Sequence, residues 1–165
     1  MLAPHPPKAA DAFQNFCTSK DLSAWVGALS EDVVLRSPLF RATFHGRGDA
    51  AELYEVLLAT LGDFSVVEKF VSDSGSAVLW QATAGSRRID GIDVFQLDED
   101  GRIREAQVMV RPLVGLAAFS VAVGPELARR RGPVRHLATR ILVSPLRALF
   151  LAVDVIAPRL VRPLL

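Results

Sequence analysis

Residues 87–110 read RRIDGIDVFQLDEDGRIREAQVMV, two apolar strands joined by the acidic turn Asp98-Glu99-Asp100-Gly101. Side chains alternate across a strand, so Ile89, Gly91, Asp93, Phe95 and Leu97 share one face and Asp90, Ile92, Val94 and Gln96 the other. A carboxyl group among such neighbours must find donors or take up a proton once its face is covered. The stretch predicts a sheet with one acid on its inner side.

The flanking segments extend that sheet and supply its cover. Residues 65–72 and 77–84 read as further strands, punctuated by Gly75 and Gly85, and Pro112 closes the strand at 103–111. Residues 9–18 show helical spacing, with Ala12, Phe13 and Phe16 on one side. Asp21 or Ser23 caps a second short helix carrying Leu22, Trp25, Val26 and Leu29. Residues 33–36 are β-branched and strand-like until Ser37-Pro38 stops them. Residues 44–48 read as a loop, with Asp49 capping a helix that turns Leu53, Val56, Leu57 and Thr60 inward and ends at Gly62. Helices first and then a run of strands predict an α+β fold, with helices against a curved antiparallel sheet.

The chain has 165 residues, half of them hydrophobic and 22% charged, which fits one cored domain and excludes global disorder. Cys17 is the only cysteine, so no internal disulfide forms, and its apolar helical setting suits a buried thiol in a reducing, cytoplasmic compartment. The opening MLAPHPPKAA lacks the apolar run of a signal peptide, and no window holds 18 uninterrupted apolar residues. His5, His45 and His136 lie in separate segments without metal-ligand spacing. Gly46-Arg47-Gly48 does not complete a phosphate loop, and no serine triad spacing is present. No metal and no cofactor are expected.

Charge divides the chain in two. Residues 1–115 hold 11 Lys/Arg against 16 Asp/Glu, whereas 116–165 hold eight Arg against Glu126 and Asp154. We therefore expect a sheet domain over 1–115 and a basic, apolar helical extension over 116–165. Within the extension, 113–131 reads as a helix gathering Arg129, Arg130 and Arg131 at its end. Gly132-Pro133 and Ser144-Pro145 then break it twice more. The tail has few aromatic platforms, so nucleic acid is not expected as a partner. Its arginines suit either an anionic membrane surface, with the side chains snorkelling, or the solvated face of helices packed on the domain or on a second copy. Crossing a bilayer with 141–157 would bury Pro145, Arg147 and Asp154.

The order of a first helix, Asp21-Leu22, Trp25 to Leu29-Ser30-Glu31-Asp32-Val33, Phe44-His45-Gly46-Arg47 and then IDVFQLDEDGRI resembles the nuclear transport factor 2-like superfamily, nearest its SnoaL-like branch. The resemblance spans roughly residues 8–115. It implies a cone-shaped antiparallel sheet wrapped around N-terminal helices, an apolar pocket, and a homodimer formed through the sheet. The branch includes polyketide cyclases, ketosteroid isomerases and limonene-epoxide hydrolases, and Asp93 matches its pocket acid. The isomerase base would fall near Ser37 and the isomerase tyrosine near Phe13, so neither function carries over. The epoxide hydrolases place an arginine at the position of Gly91 and a second aspartate on the last strand, where this chain has only Glu105.

Asp93 in an apolar hollow would have a raised pKa and serve as a base near neutral pH or as a neutral donor. His45, in its glycine-flanked loop, is the candidate acid/base assistant. Trp25, Phe40, Phe44, Trp80, Phe95, Val108 and Val110 are the candidate ligand-binding walls, and Arg36, Arg88 and Arg111 are candidate partners for Asp93. Three functions fit: a metal-free cyclase/isomerase-type enzyme acting on a small apolar molecule, a non-catalytic carrier or sensor, or a membrane-peripheral interaction protein.

Overall fold

A computed structural model describes residues 9–161; the proline-rich start with His5 lies outside them. The elements are α1 (Ala9–Ser19), α2 (Leu22–Gly27), β1 (Leu29–Arg36), β2 (Thr43–His45), α3 (Gly46–Thr60), β3 (Leu61–Val71), β4 (Gly75–Ala84), β5 (Arg87–Leu97), β6 (Ile103–Arg111), α4 (Leu113–Arg129) and α5 (Pro133–Val161). Six strands form one curved, unclosed sheet in the order β2-β1-β6-β5-β4-β3. Bulges interrupt β3–β4, β5–β6 and β1–β6, and each adds local twist to the sheet.

The β5–β6 hairpin turns where the sequence predicts. Asp98 makes the turn by accepting from the Asp100 and Arg102 amides at 3.0 and 2.8 Å, and Gly101 takes the left-handed backbone (φ 76°). Asp21 is the cap of α2, accepting from the Ala24 amide at 3.0 Å. Asp21→Ala should lower stability by about 1 kcal/mol in urea unfolding, with α2 fraying first.

Four expectations are corrected. The sheet is mixed, because β1 runs parallel to β6; β1 reaches its place by a long crossover, so no hairpin dictates its direction. The expected loop at 44–48 is instead the end of β2 and the first turn of α3, with His45 as N-cap and Asp49 inside the helix, accepting from the His45 amide. The break at Ser144-Pro145 does not occur, and α5 runs through it for 29 residues. An internal proline removes one backbone bond and bends a helix, and the turns on either side continue it. Finally, residues 116–129 are not an appendage: Ala118, Phe119, Val123 and Leu127 of α4 belong to the main core. At the end of α4, Arg130 pairs with Glu55 at 2.8 Å and Arg131 with Glu52 at 2.6 Å, tying it to α3.

Inside the sheet's curve, α1 sets Phe13, Phe16 and Cys17 against Trp25, Tyr54 and Phe95 in a close aromatic cluster. Strands β4 and β5 alternate buried and part-buried positions along their length, the period-two pattern of a half-covered sheet.

Candidate active site

The helices do not fill the curve of the sheet completely. A cavity of about 260 Å³ remains between α1, α3, α4 and the strands, with Asp93 in its wall. Its other walls are mostly apolar: Phe13 and Phe16 from α1, Leu53 and Leu57 from α3, Phe64 and Trp80 from the sheet, and Phe119, Val123 and Leu127 from α4. Helix α4 therefore closes a site that β1–β6 and the first three helices leave open.

Asp93 is only 3% exposed. Its Oδ1 accepts from the Trp80 indole N–H at 2.8 Å, the single side-chain bond to this carboxyl among the described residues. Burial raises its pKa from the usual carboxylate range to about 7, and the Trp80 bond pulls only partly the other way. The candidate arginine partners are all engaged elsewhere: Arg36 with Glu105 at 2.5 Å, Arg88 with Gln81, and Arg111 with Asp90 at 3.1 Å. Without a cation, the carboxyl and its carboxylate are comparably populated near neutral pH.

Trp80 holds Asp93 because of a glycine. Trp80 and Gly91 are cross-strand partners, and the indole lies over the space a Cβ of Gly91 would occupy. Phe64 stacks on the other side of the ring at 4.8 Å. Gly91, the position at which the resemblance would set an epoxide-hydrolase arginine, is thus covered by a neighbouring indole.

Lys20, Arg36, Ser37 and Asp63 also line the cavity, the first, second and fourth of them from its exposed edge, and two further side chains of the lining are buried with Asp93. Tyr54, the chain's only tyrosine, is pushed well above the ordinary phenol pKa by burial, with the charges of Asp93 and Cys17 adding. The Trp25 indole N–H approaches its hydroxyl without reaching bonding geometry. Cys17 is pushed up to about 12, first by burial and then by Asp93, so its thiol stays protonated and is a poor nucleophile. The sequence signal for Tyr54 is a lone tyrosine on the apolar side of α3, between Leu53 and Leu57.

Of the sequence-derived wall residues, Phe40, Phe44, Trp80 and Val108 line the cavity with Asp93. Trp25 and Phe95 are buried behind it in the aromatic cluster, and Val110 is part-buried against the core without lining the cavity. His45 is not brought to the site: it is exposed, outside the cavity lining, and its Nε2 lies 2.6 Å from the Thr43 hydroxyl. Period-two alternation in β2 explains this, because Phe44 turns inward and its neighbour His45 turns outward. Ser37 and Phe13, the positions near which the resemblance would set an isomerase's base and tyrosine, both line the cavity. Among the described residues, no cluster of His, Cys, Asp and Glu could hold a metal ion.

A bent sheet wrapped over helices, with an acid inside an apolar hollow, defines a cone-fold protein with an interior site. Residues 10–106 match the SnoaL-like domain, and the chain belongs to that family. Its structure resembles a steroid delta-isomerase from Pseudomonas aeruginosa, with 30% identity over 83% of this chain and 99% of that one and a TM-score of 0.66. It also resembles an uncharacterized bacterial protein with a cystatin-like fold from Silicibacter pomeroyi, with 25% identity, 83% and 94% coverage and a TM-score of 0.69. An epoxide hydrolase/cyclase-like enzyme of pyran ring formation in salinomycin shares the fold alone, at 17% identity, 62% and 88% coverage and a TM-score of 0.53. No curated protein matches the chain.

Proposed function

We propose that the cavity binds one small, mostly apolar molecule carrying an oxygen function, and that Asp93 acts on it as an acid/base group. One observation carries this reading: Asp93 is a carboxyl buried in the wall of a mostly apolar cavity, bonded by the Trp80 indole and paired with no cation among the described residues, and burial raises its pKa to about 7. At neutral pH such a group can take a proton from carbon next to a carbonyl, or donate one to the oxygen of the resulting enolate. The Tyr54 hydroxyl, held well above the ordinary phenol pKa by burial, stays protonated and supplies a second donor in the cavity wall. The Trp80 bond orients Asp93 and leaves Oδ2 for the ligand. Similarity to a steroid delta-isomerase supports chemistry of this class. Phe13 and Ser37 argue against a mechanism with a separate base and a tyrosine at those positions. A groove between α4–α5 and residues 38–44 shares Pro38, Leu39, Phe40 and Phe44 with the cavity and gives an apolar ligand its entry.

The test is hydrogen exchange. The protein should accelerate exchange of the α-hydrogens of 2-tetralone in deuterium oxide, followed by proton NMR, and Asp93→Asn should reduce that acceleration by about a hundredfold or more. Phe13 and Ser37, which cannot act as a donor tyrosine and a base, favour one other reading, a non-catalytic carrier. It predicts that 2-naphthol binds, that Asp93→Asn leaves its affinity nearly unchanged and that the ketone exchanges at the background rate. Under the acid/base reading, Tyr54→Phe should weaken 2-naphthol binding by roughly five- to tenfold, the effect of one lost hydrogen bond, measured by fluorescence titration.

A further inference from the structure

Helix α5 is packed on one side and apolar on the other. Its His136, Thr139, Val143, Leu146 and Phe150 are half-buried on the side of α4, and His136 Nδ1 lies 2.8 Å from the Pro125 carbonyl. These positions recur every three and four residues, which marks one side of a helix. On the opposite side stand Val134, Leu137, Ile141, Leu149, Val155 and Ile156, with Val134 80%, Ile141 66% and Leu137 58% exposed. Pro145 and three alanines (138, 148, 152) fill the rest of that side, also exposed. Among the described side chains, no charged residue interrupts it between 134 and 156.

The charges flank this strip. Arg135 stands on one edge and Arg140 on the other, both exposed, and neither pairs with a carboxylate among the described residues. In contrast, Arg129, Arg130 and Arg131 pair with Glu126, Glu55 and Glu52. Over its full length α5 carries four arginines and one acid. Among the described residues, no helix is long and apolar enough to cross a membrane.

We propose that α5 docks flat on an anionic lipid surface, its outward apolar strip entering the headgroup boundary and Arg135 and Arg140 reaching the phosphates on either side. Charge selects this occupant over a second copy of the chain. Pairing two such strips would bring arginine edges together with almost no carboxylate to meet them, whereas an anionic bilayer supplies the countercharge along both edges. The strip also continues through Leu142, which is 75% exposed and lines the groove that shares Pro38, Leu39, Phe40 and Phe44 with the cavity.

The experiment is flotation of the full chain with vesicles of phosphatidylcholine plus phosphatidylglycerol, compared with phosphatidylcholine alone. The wild-type chain should bind the anionic vesicles, and added salt should weaken that binding. Ile141→Asp should reduce it by about tenfold or more, and Arg135→Gln with Arg140→Gln should remove the preference for anionic lipid. All of these side chains are exposed, and an unchanged circular dichroism melt confirms that each variant folds. Absence of binding to anionic vesicles, or equal binding by wild type and Ile141→Asp, overturns the proposal. A dimer in sedimentation that Ile141→Asp dissociates, without lipid binding by either chain, overturns it in favour of a second copy.

Discussion

Asp93→Asn is expected to stabilise the protein relative to wild type by about 4 kcal/mol at pH 8–9, with the difference vanishing near pH 4. The sign follows from proton counting. Asp93 has a pKa of about 7 in the folded chain, against 3.8 in the ordinary exposed carboxylate. Between those values the folded state holds a proton that the unfolded state has released, so wild-type stability falls as pH rises from about 4 to 7. Above pH 7 the folded chain carries a buried carboxylate whose only side-chain donor among the described residues is the Trp80 indole, and the cost is fully present. Asparagine keeps an oxygen for that indole and has no charge to bury, so its curve should lack this slope. Any constant cost of the amide shifts the variant's curve without tilting it. Urea unfolding across this pH range provides the measurement. Parallel curves for the two chains would mean that Asp93 does not titrate as a buried group, and the acid/base reading would fall with it.

The second large effect is expected at Gly91. A methyl group there would overlap the six-membered ring of Trp80, a rigid side chain already held by Phe64 and by Asp93. Gly91→Ala should therefore cost about 2–3 kcal/mol or more, combining overpacking with a lost buried hydrogen bond. It should also push the Asp93 pKa above 7, because the Trp80 bond is the interaction that lowers it. The pH-dependent loss of stability would then extend to higher pH, and tryptophan emission would shift as the indole is displaced. Gly48→Ala is the matched control, since nothing lies within 4 Å of a Cβ at that helical position. Equal effects of the two substitutions would show that Gly91 has no special relation to Trp80.

Both effects depend on contacts between strands, and this separates what local pattern could reveal from what it could not. Strict alternation from Ile89 to Leu97 placed Asp93 inside, and the Asp98–Gly101 turn located the hairpin. Helical spacing placed Phe13 and Phe16 inward. Each of these signals is carried by neighbours in sequence. Trp80 was legible as a wall residue but not as the donor to Asp93, because that bond depends on the β4–β5 register and on the gap left by Gly91. Tyr54 offered only its apolar helical setting, and its relation to Asp93 arises from elements 39 residues apart in the chain. The parallel β1–β6 pairing likewise has no local signature.

The amino-acid order alone thus determined an α+β chain with a covered sheet, an inward acid and a basic, greasy C-terminal third, since periodicity and charge act through near neighbours. Only the assembled structure decided that α4 closes the cavity, that α5 continues past Pro145 with a bare apolar side, and that an indole, not an arginine, meets Asp93. Those outcomes depend on which distant surfaces compete for the same space, and that competition is settled by packing.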